Sequence, residues 1–191
     1  MDRDRTYLFD IDTALVGRRI VVRRFRENEG SALYQLIQDN YTMLYDVLPK
    51  MVEECISKES AETFVRRKIA DWLLDKAYCF GIWETKGAEL IGYIEVFGID
   101  WHIPKGELAF FIDMQHKEKG IMTEALKKVT EFSFNQLQLE KLAFRVAMDN
   151  YPAQRLARKC AFSREGDLRN EFRNKSGALI DAMLFGLPKL V

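Results

Sequence analysis

Seven residues, Glu107 to Asp113 (Glu-Leu-Ala-Phe-Phe-Ile-Asp), make the most apolar strand-like run of the chain and lead straight into a glycine turn and an amphipathic helix. Hydrophobicity that is nearly continuous over so short a stretch requires burial on both faces, which puts the strand in the middle of a sheet. Met114 to Gly120 is polar, and from about Ile121 to Leu137 the residues Ala125, Leu126, Val129 and Phe132 recur at helical spacing. Strand, short loop and helix in that order commit the chain to a layered α/β architecture. The first N–H groups of such a helix lack intrahelical partners and lie at the positive end of its macrodipole, so the turn can receive a pyrophosphate. Gly120 lets a backbone approach an anion closely, Lys117 and Lys119 add charge, and Thr123 adds a hydroxyl. An ordinary tight turn accounts for the same residues. The loop is neither a Walker A sequence nor a Gly-x-Gly-x-x-Gly fingerprint.

The remaining elements follow from periodicity and punctuation. Arg19 to Phe25 reads as a first strand, and Asn28 to Ser31 as a turn opening a helix through Leu33, Leu36 and Ile37. Residues 40 to 59 carry a short helix before Pro49 and then no clear pattern. A firmer helix spans Ser60 to about Lys76, with Ala61, Phe64, Val65, Ile69, Trp72 and Leu73 on one face. Tyr78 to Trp83 and Leu90 to Phe97 form a hairpin about Lys86 and Gly87. Past the helix from Ile121, Lys141 to Val146 is a strand. Pro152 opens a helix that buries Ala153, Leu156, Ala157 and Cys160. Two last strands, about Phe162 to Arg173 and Ile180 to Leu187, flank the turn Asn174 to Gly177. The order β, α, α, β, β, β, α, β, α, β, β predicts one α/β (α+β mixed) domain over residues 1–191, with 1–17 as an N-terminal extension.

Composition removes several classes of function. Twenty-nine Lys and Arg balance 29 Asp and Glu, so no field of one sign draws the molecule to nucleic acid or an acidic membrane. The apolar runs are far shorter than the roughly 20 residues of a membrane helix. No apolar segment follows Met1, so no secretory signal peptide is expected, and a cytoplasmic location is. Three separated cysteines, Cys55, Cys79 and Cys160, make no paired framework and read as small core hydrophobes. With His102 and His116 as the two histidines and no ligand spacing, no metal site is expected.

Four motifs in order carry a resemblance. Lys117 to Met122 (Lys-Glu-Lys-Gly-Ile-Met) sits where Gln/Arg-x-x-Gly-x-Gly/Ala forms an acetyl-CoA loop. Asn150 to Phe162 is similar to an Asn-x-x-Ser…Gly-Phe element, Glu165 to Arg169 to Glu-Gly-x-Leu-Arg, and Asp181 to an aspartate that opens the last strand. In these respects the chain, from about Arg18 to Leu187, resembles the GCN5-related N-acetyltransferase (GNAT) superfamily and, within it, the bacterial RimJ/RimL-type N-terminal amine acetyltransferases. It departs in three places: Lys117 stands for Gln or Arg, Met122 for a small residue, and Ala153 for a serine that is a candidate general acid.

The resemblance implies a mostly antiparallel sheet splayed at its middle strands, with acetyl-CoA in the gap between the strand ending at Ile112 and the strand from Lys141. The pyrophosphate is then expected on the N–H groups of Lys119, Gly120, Ile121 and Met122, and the pantetheine beside the backbone of Phe111 and Ile112. Asn150 is the candidate for a hydrogen bond to the pantetheine arm, and Arg155 and Lys159 for the phosphorylated adenosine. Glu107 is the first candidate base and Glu165 the second, the latter in a structural network with Arg169. His102 is a weaker candidate. Tyr45 and Asp46 sit where relatives shape the acceptor pocket. The acceptor is expected to be a protein N-terminal α-amine, as on a ribosomal protein. A polyamine or other small amine, or a catalytically weak acetyl-CoA-binding module, is the alternative, and a homodimer is compatible with the pattern.

Overall fold

The strands Tyr78–Glu84 and Leu90–Asp100 are buried on both faces and form the middle of a single sheet. In the computed structural model, which describes residues 13–174 and 176–189, the elements are β1 (Ala14–Val16), β2 (Ile20–Arg24), α1 (Gly30–Asp39), α2 (Tyr41–Val47), α3 (Pro49–Glu54), α4 (Lys58–Leu73), β3 (Tyr78–Glu84), β4 (Leu90–Asp100), β5 (Lys105–Ile112), α5 (Ile121–Asn135), β6 (Lys141–Ala147), α6 (Tyr151–Lys159), β7 (Ser163–Arg173) and β8 (Leu179–Pro188). A 3₁₀ turn, Met114–His116, links β5 to the glycine loop. The eight strands run β1-β2-β3-β4-β5-β6-β8-β7. Every pairing is antiparallel except β5 with β6. Most of the expected N-terminal extension, and Lys175 of the last turn, lie outside the described residues. No described helix is long and apolar enough to cross a membrane.

Successive β3 and β4 side chains feed two cores. Phe80, Ile82, Ile94 and Val96 join α5 through Ala125, Val129 and Phe132. Cys79, Tyr93 and Phe111 join α1 and α4 through Leu33, Ile37, Phe64 and Val65. All three cysteines are buried free thiols, as expected of core residues.

Several expectations need correction. Residues 40 to 54 form two short helices, α2 and α3, broken at Leu48–Pro49, where the proline takes the first helical turn. Helix α4 begins at Lys58 because Ser57 and Ser60 close a capping box ahead of it. Its Leu73 is 57% exposed, since Trp72 is the residue that turns inward at the helix end. Strand β1 has one part-buried residue between two exposed ones and so carries no burial pattern to read.

The loop after β5 is fixed by the residue that ends α1. Asn40, 2% exposed, donates to the Leu36 carbonyl (2.9 Å) and to Asp113 Oδ1 (3.0 Å) and accepts the Met114 N–H (2.9 Å). Burial raises the Asp113 carboxyl, but hydrogen bonds from His116, Asn40 and the Gln115 N–H outweigh it and hold the group below its ordinary range. Asn40→Ala leaves these groups unpaired and is expected to cost about 1–3 kcal/mol, measurable as a shift in the urea midpoint. An unchanged midpoint contradicts the anchoring role.

Candidate active site

The sheet forks at Glu107. Lys105, Gly106 and Glu107 pair with Lys141, Leu142 and Ala143, and beyond that point β5 and β6 share no register. From there β5 follows β4 as far as Ile112, and β6 follows β8 as far as Ala147. A bulge in β4 between Phe97 and Asp100, with Gly98 at φ 58°, precedes the fork and turns the strand locally. Residues 108 to 112 of β5 therefore present a strand edge without a neighbour on their β6 side among the described residues, and an extended ligand can pair with such an edge. Phe110 and Phe144 meet edge to face with centroids 5.1 Å apart across the divergence.

A crevice of about 380 Å³ opens at the fork, lined by β5 from Glu107 to Phe110, by β6 from Phe144 to Ala147, by Asn150 and Ala153 of α6, by residues 46 to 51 and by Glu171 and Phe172. Asn150 caps α6, its Oδ1 accepting the Ala153 N–H at 3.2 Å, and the residue lines the crevice. Asn150→Ala removes that cap and is expected to cost about 1 kcal/mol, read as a lowered Tm. No change in Tm contradicts the capping assignment.

Sequence reasoning missed the group that governs Glu107. Arg145 of β6 bonds to Glu107 with one guanidinium nitrogen and to Glu171 of β7 with the other. Burial lowers the Arg145 pKa, yet the two carboxylates outweigh it and keep the guanidinium above its usual value, so Arg145 is a fixed cation and no proton donor. Glu171 is aimed by a neighbouring irregularity: Asn170 is left-handed (φ 55°) and donates its N–H to Asp181 Oδ1 at 2.9 Å. Asp181 thus holds a bulge of β7. Glu165 is not among the described residues lining the crevice. Its partner is Lys141 (2.7 Å) rather than Arg169, because the bulge between Arg164 and Gly166 packs its carboxylate against Gly186. Asp46 lines the crevice, whereas the ring of Tyr45 packs beside Tyr41 and the α1–α4 core. His102 lies in the exposed β4–β5 turn, its N–H bonded to Asp100.

At the other end of β5, Glu118 (φ 62°) and Gly120 (φ 75°) are both left-handed and swing the chain into α5. Glu124 N–H makes the first intrahelical bond, to the Gly120 carbonyl (3.1 Å), and no side chain caps the helix. The N–H groups of Ile121, Met122 and Thr123 therefore have no partner among the described residues. A basic bowl of about 680 Å³ lies beside them, lined by residues 16 to 19, Gly120, Thr123, Glu124, Lys127, Lys128 and Lys159. Lys159, the candidate for the phosphorylated adenosine, lines the bowl. Arg155, Lys117 and Lys119 are exposed outside its lining, and Arg18, Arg19, Lys127 and Lys128 were not expected there. An unpaired strand edge leading to an uncapped helix end fits a ligand with an amide-containing arm and a diphosphate.

Comparison with known proteins bears on the family and the fold. Residues 19–163 match the family model described as the acetyltransferase (GNAT) domain. The N-acetyltransferase p20 of Bacillus licheniformis is 30% identical over 92% of this chain and 96% of its own. The ribosomal-protein-serine acetyltransferase of Escherichia coli is 27% identical over 85% and 90%. The structure of RimL, a ribosomal L7/L12 α-N-protein acetyltransferase in complex with coenzyme A, superposes with a TM-score of 0.84 over 91% of this chain and 96% of that one, at 19% identity. The chain belongs to the GNAT family of N-acetyltransferases, and acetyl-CoA is its acyl donor.

Proposed function

We propose that the protein acetylates the α-amine of a protein N-terminus, with Glu107 as the base. The observation that carries this reading is the fork itself. Its apex holds Glu107, and the crevice there is lined by apolar Leu48, Pro49, Phe97 and Phe172 together with Asp46 and Glu171. An extended N-terminal segment suits such an open groove, with its ammonium drawn to the carboxylates. Acetyl-CoA supplies the acetyl thioester. The chain's own part is to hold the pantetheine along Phe111 and Ile112, with Asn150 beside it, and to direct a backbone N–H near Phe111 at the developing charge. Only a neutral amine attacks. An α-amine with a pKa of about 7.7–8.0 is about a third neutral near pH 7.5, and a lysine amine at about 10.4 only about a tenth of a per cent, so an N-terminus asks least of a carboxylate base. The naming of the E. coli relative for a ribosomal protein supports the same acceptor class.

The same carboxylates favour a second reading, a polyamine held by its charges. Ala153, which brings no hydroxyl to the crevice, favours a third, a binding module with little turnover. An acceptor screen separates them. Peptides with the N-terminal sequences of ribosomal proteins, spermidine and free amino acids are each incubated with acetyl-CoA, and thiol release is followed. The proposal expects peptide acetylation with kcat/KM well above that for spermidine. Spermidine preferred over every peptide contradicts it, and a thioester left uncleaved whichever acceptor is offered supports the third reading.

A further inference from the structure

The cofactor loop supplies only lysines, Lys117 and Lys119, but the fold brings a guanidinium to it from a hundred residues away. Arg19, just before β2, donates from Nη1 to the Lys119 carbonyl at 2.8 Å. Its Nη2 lies 3.6 Å from Glu124 Oε2 and is the nearest atom, at 3.6 Å, to the position a Cβ would take on Gly120. The β1–β2 turn that carries it is fastened to α5. The Arg18 N–H donates to Glu124 Oε1 at 2.7 Å, and a Cβ on Gly17 would stand 2.3 Å from that same oxygen. A side chain at 17 would therefore push the Glu124 carboxylate away from the turn. Arg19 is 53% exposed, and its remaining N–H groups border the basic bowl.

We infer that Arg19 is a cofactor-binding residue that contacts the diphosphate of CoA from the side opposite α6. This rests on acetyl-CoA being the acyl donor and not on the identity of the acceptor. Two physical arguments carry it. A guanidinium anchored through one nitrogen keeps a planar set of donors free, the arrangement that suits adjacent phosphate oxygens and that an ammonium lacks. Glu124, moreover, brings a negative charge to the bowl beside the helix N-terminus, and Arg19 offsets it where a diphosphate would otherwise meet an uncompensated carboxylate. Lys127, Lys128 and Lys159 lie further along the bowl, Lys127 about two helical turns past Gly120, and are left for the phosphate on the ribose.

The test is calorimetric binding, without turnover, of CoA and of dephospho-CoA, which lacks the ribose 3′-phosphate, to wild type, Arg19→Ala and Arg19→Lys. Loss of a charged hydrogen bond should raise the Kd of Arg19→Ala by about 10–100-fold, by the same factor for both ligands, with Arg19→Lys in between. Equal Kd values in wild type and Arg19→Ala overturn the inference, as does a loss that disappears with dephospho-CoA, since Arg19 would then serve the 3′-phosphate. Melting of the ligand-free variants separates these results from unfolding, and Arg19→Lys carries the test if Arg19→Ala does not fold. A wild type that binds neither ligand would refute the cofactor assignment itself, a different failure from that of Arg19.

Discussion

Replacing Glu107 by Gln should lower kcat by about 10²–10⁴-fold, the usual contribution of a positioned general base, while leaving the affinity for CoA unchanged. Glu107 is the last residue of β5 to pair with β6, so its carboxylate stands where the strands part, the place at which the proposal brings amine and thioester together. Gln preserves the shape and can still accept from Arg145, which isolates the loss of basicity. The Glu107–Arg145 pair has side chains 37% and 34% exposed and, like other such pairs, contributes about 0–1 kcal/mol to stability. The melting temperature should therefore move little. Steady-state kinetics with the best peptide acceptor, together with a CoA titration, checks both halves. Normal turnover in Glu107→Gln removes the residue from the mechanism, and a matching loss of CoA binding reassigns it to the cofactor.

Gly120→Glu should weaken CoA binding by at least about 100-fold while the protein still folds, because a fixed carboxylate would compete with the diphosphate for the unpaired helix donors. The structure separates the two costs of the substitution. A φ of 75° disfavours any side chain, by about 1–2 kcal/mol. The space around a new Cβ is open, however, with the Arg19 guanidinium as its nearest neighbour. Gly120→Ala carries the same backbone strain without the charge. It should fold with the same penalty and keep most of the affinity. Calorimetry on the pair decides the matter: equal affinities for CoA in both variants would falsify the charge argument.

What could be read from the sequence had local, repeated signals. The β5 run, the face of α5 and the β3–β4 hairpin are set by apolar patterns a few residues long, whereas the fork was expected only from the family resemblance. The uncapped turn at Gly120 was legible because strand, glycine and helix are neighbours in the chain. Arg145 was not, since its partners Glu107 and Glu171 are 38 and 26 residues away and lie on other strands. Its only local sign was a charge inside an apolar strand. Arg19 was read only as the first residue of a strand, for the same reason, its partners being Lys119 and Glu124. The partner of Glu165 was misread because a β-bulge turned its side chain, and β7 offers no alternation from which to read one. Tyr45 and Asp46 are adjacent on one short helix, and a helix of seven residues sends neighbours to different surroundings.

A crystal structure with CoA soaked in tests the central claim most directly, that backbone donors at the start of α5 bind the cofactor's diphosphate. The account predicts diphosphate oxygens within hydrogen-bond distance of the N–H groups of Ile121, Met122 and Thr123, with the pantetheine arm lying along residues 108 to 112 of β5. CoA bound elsewhere, with those three N–H groups facing water or protein side chains, would contradict it.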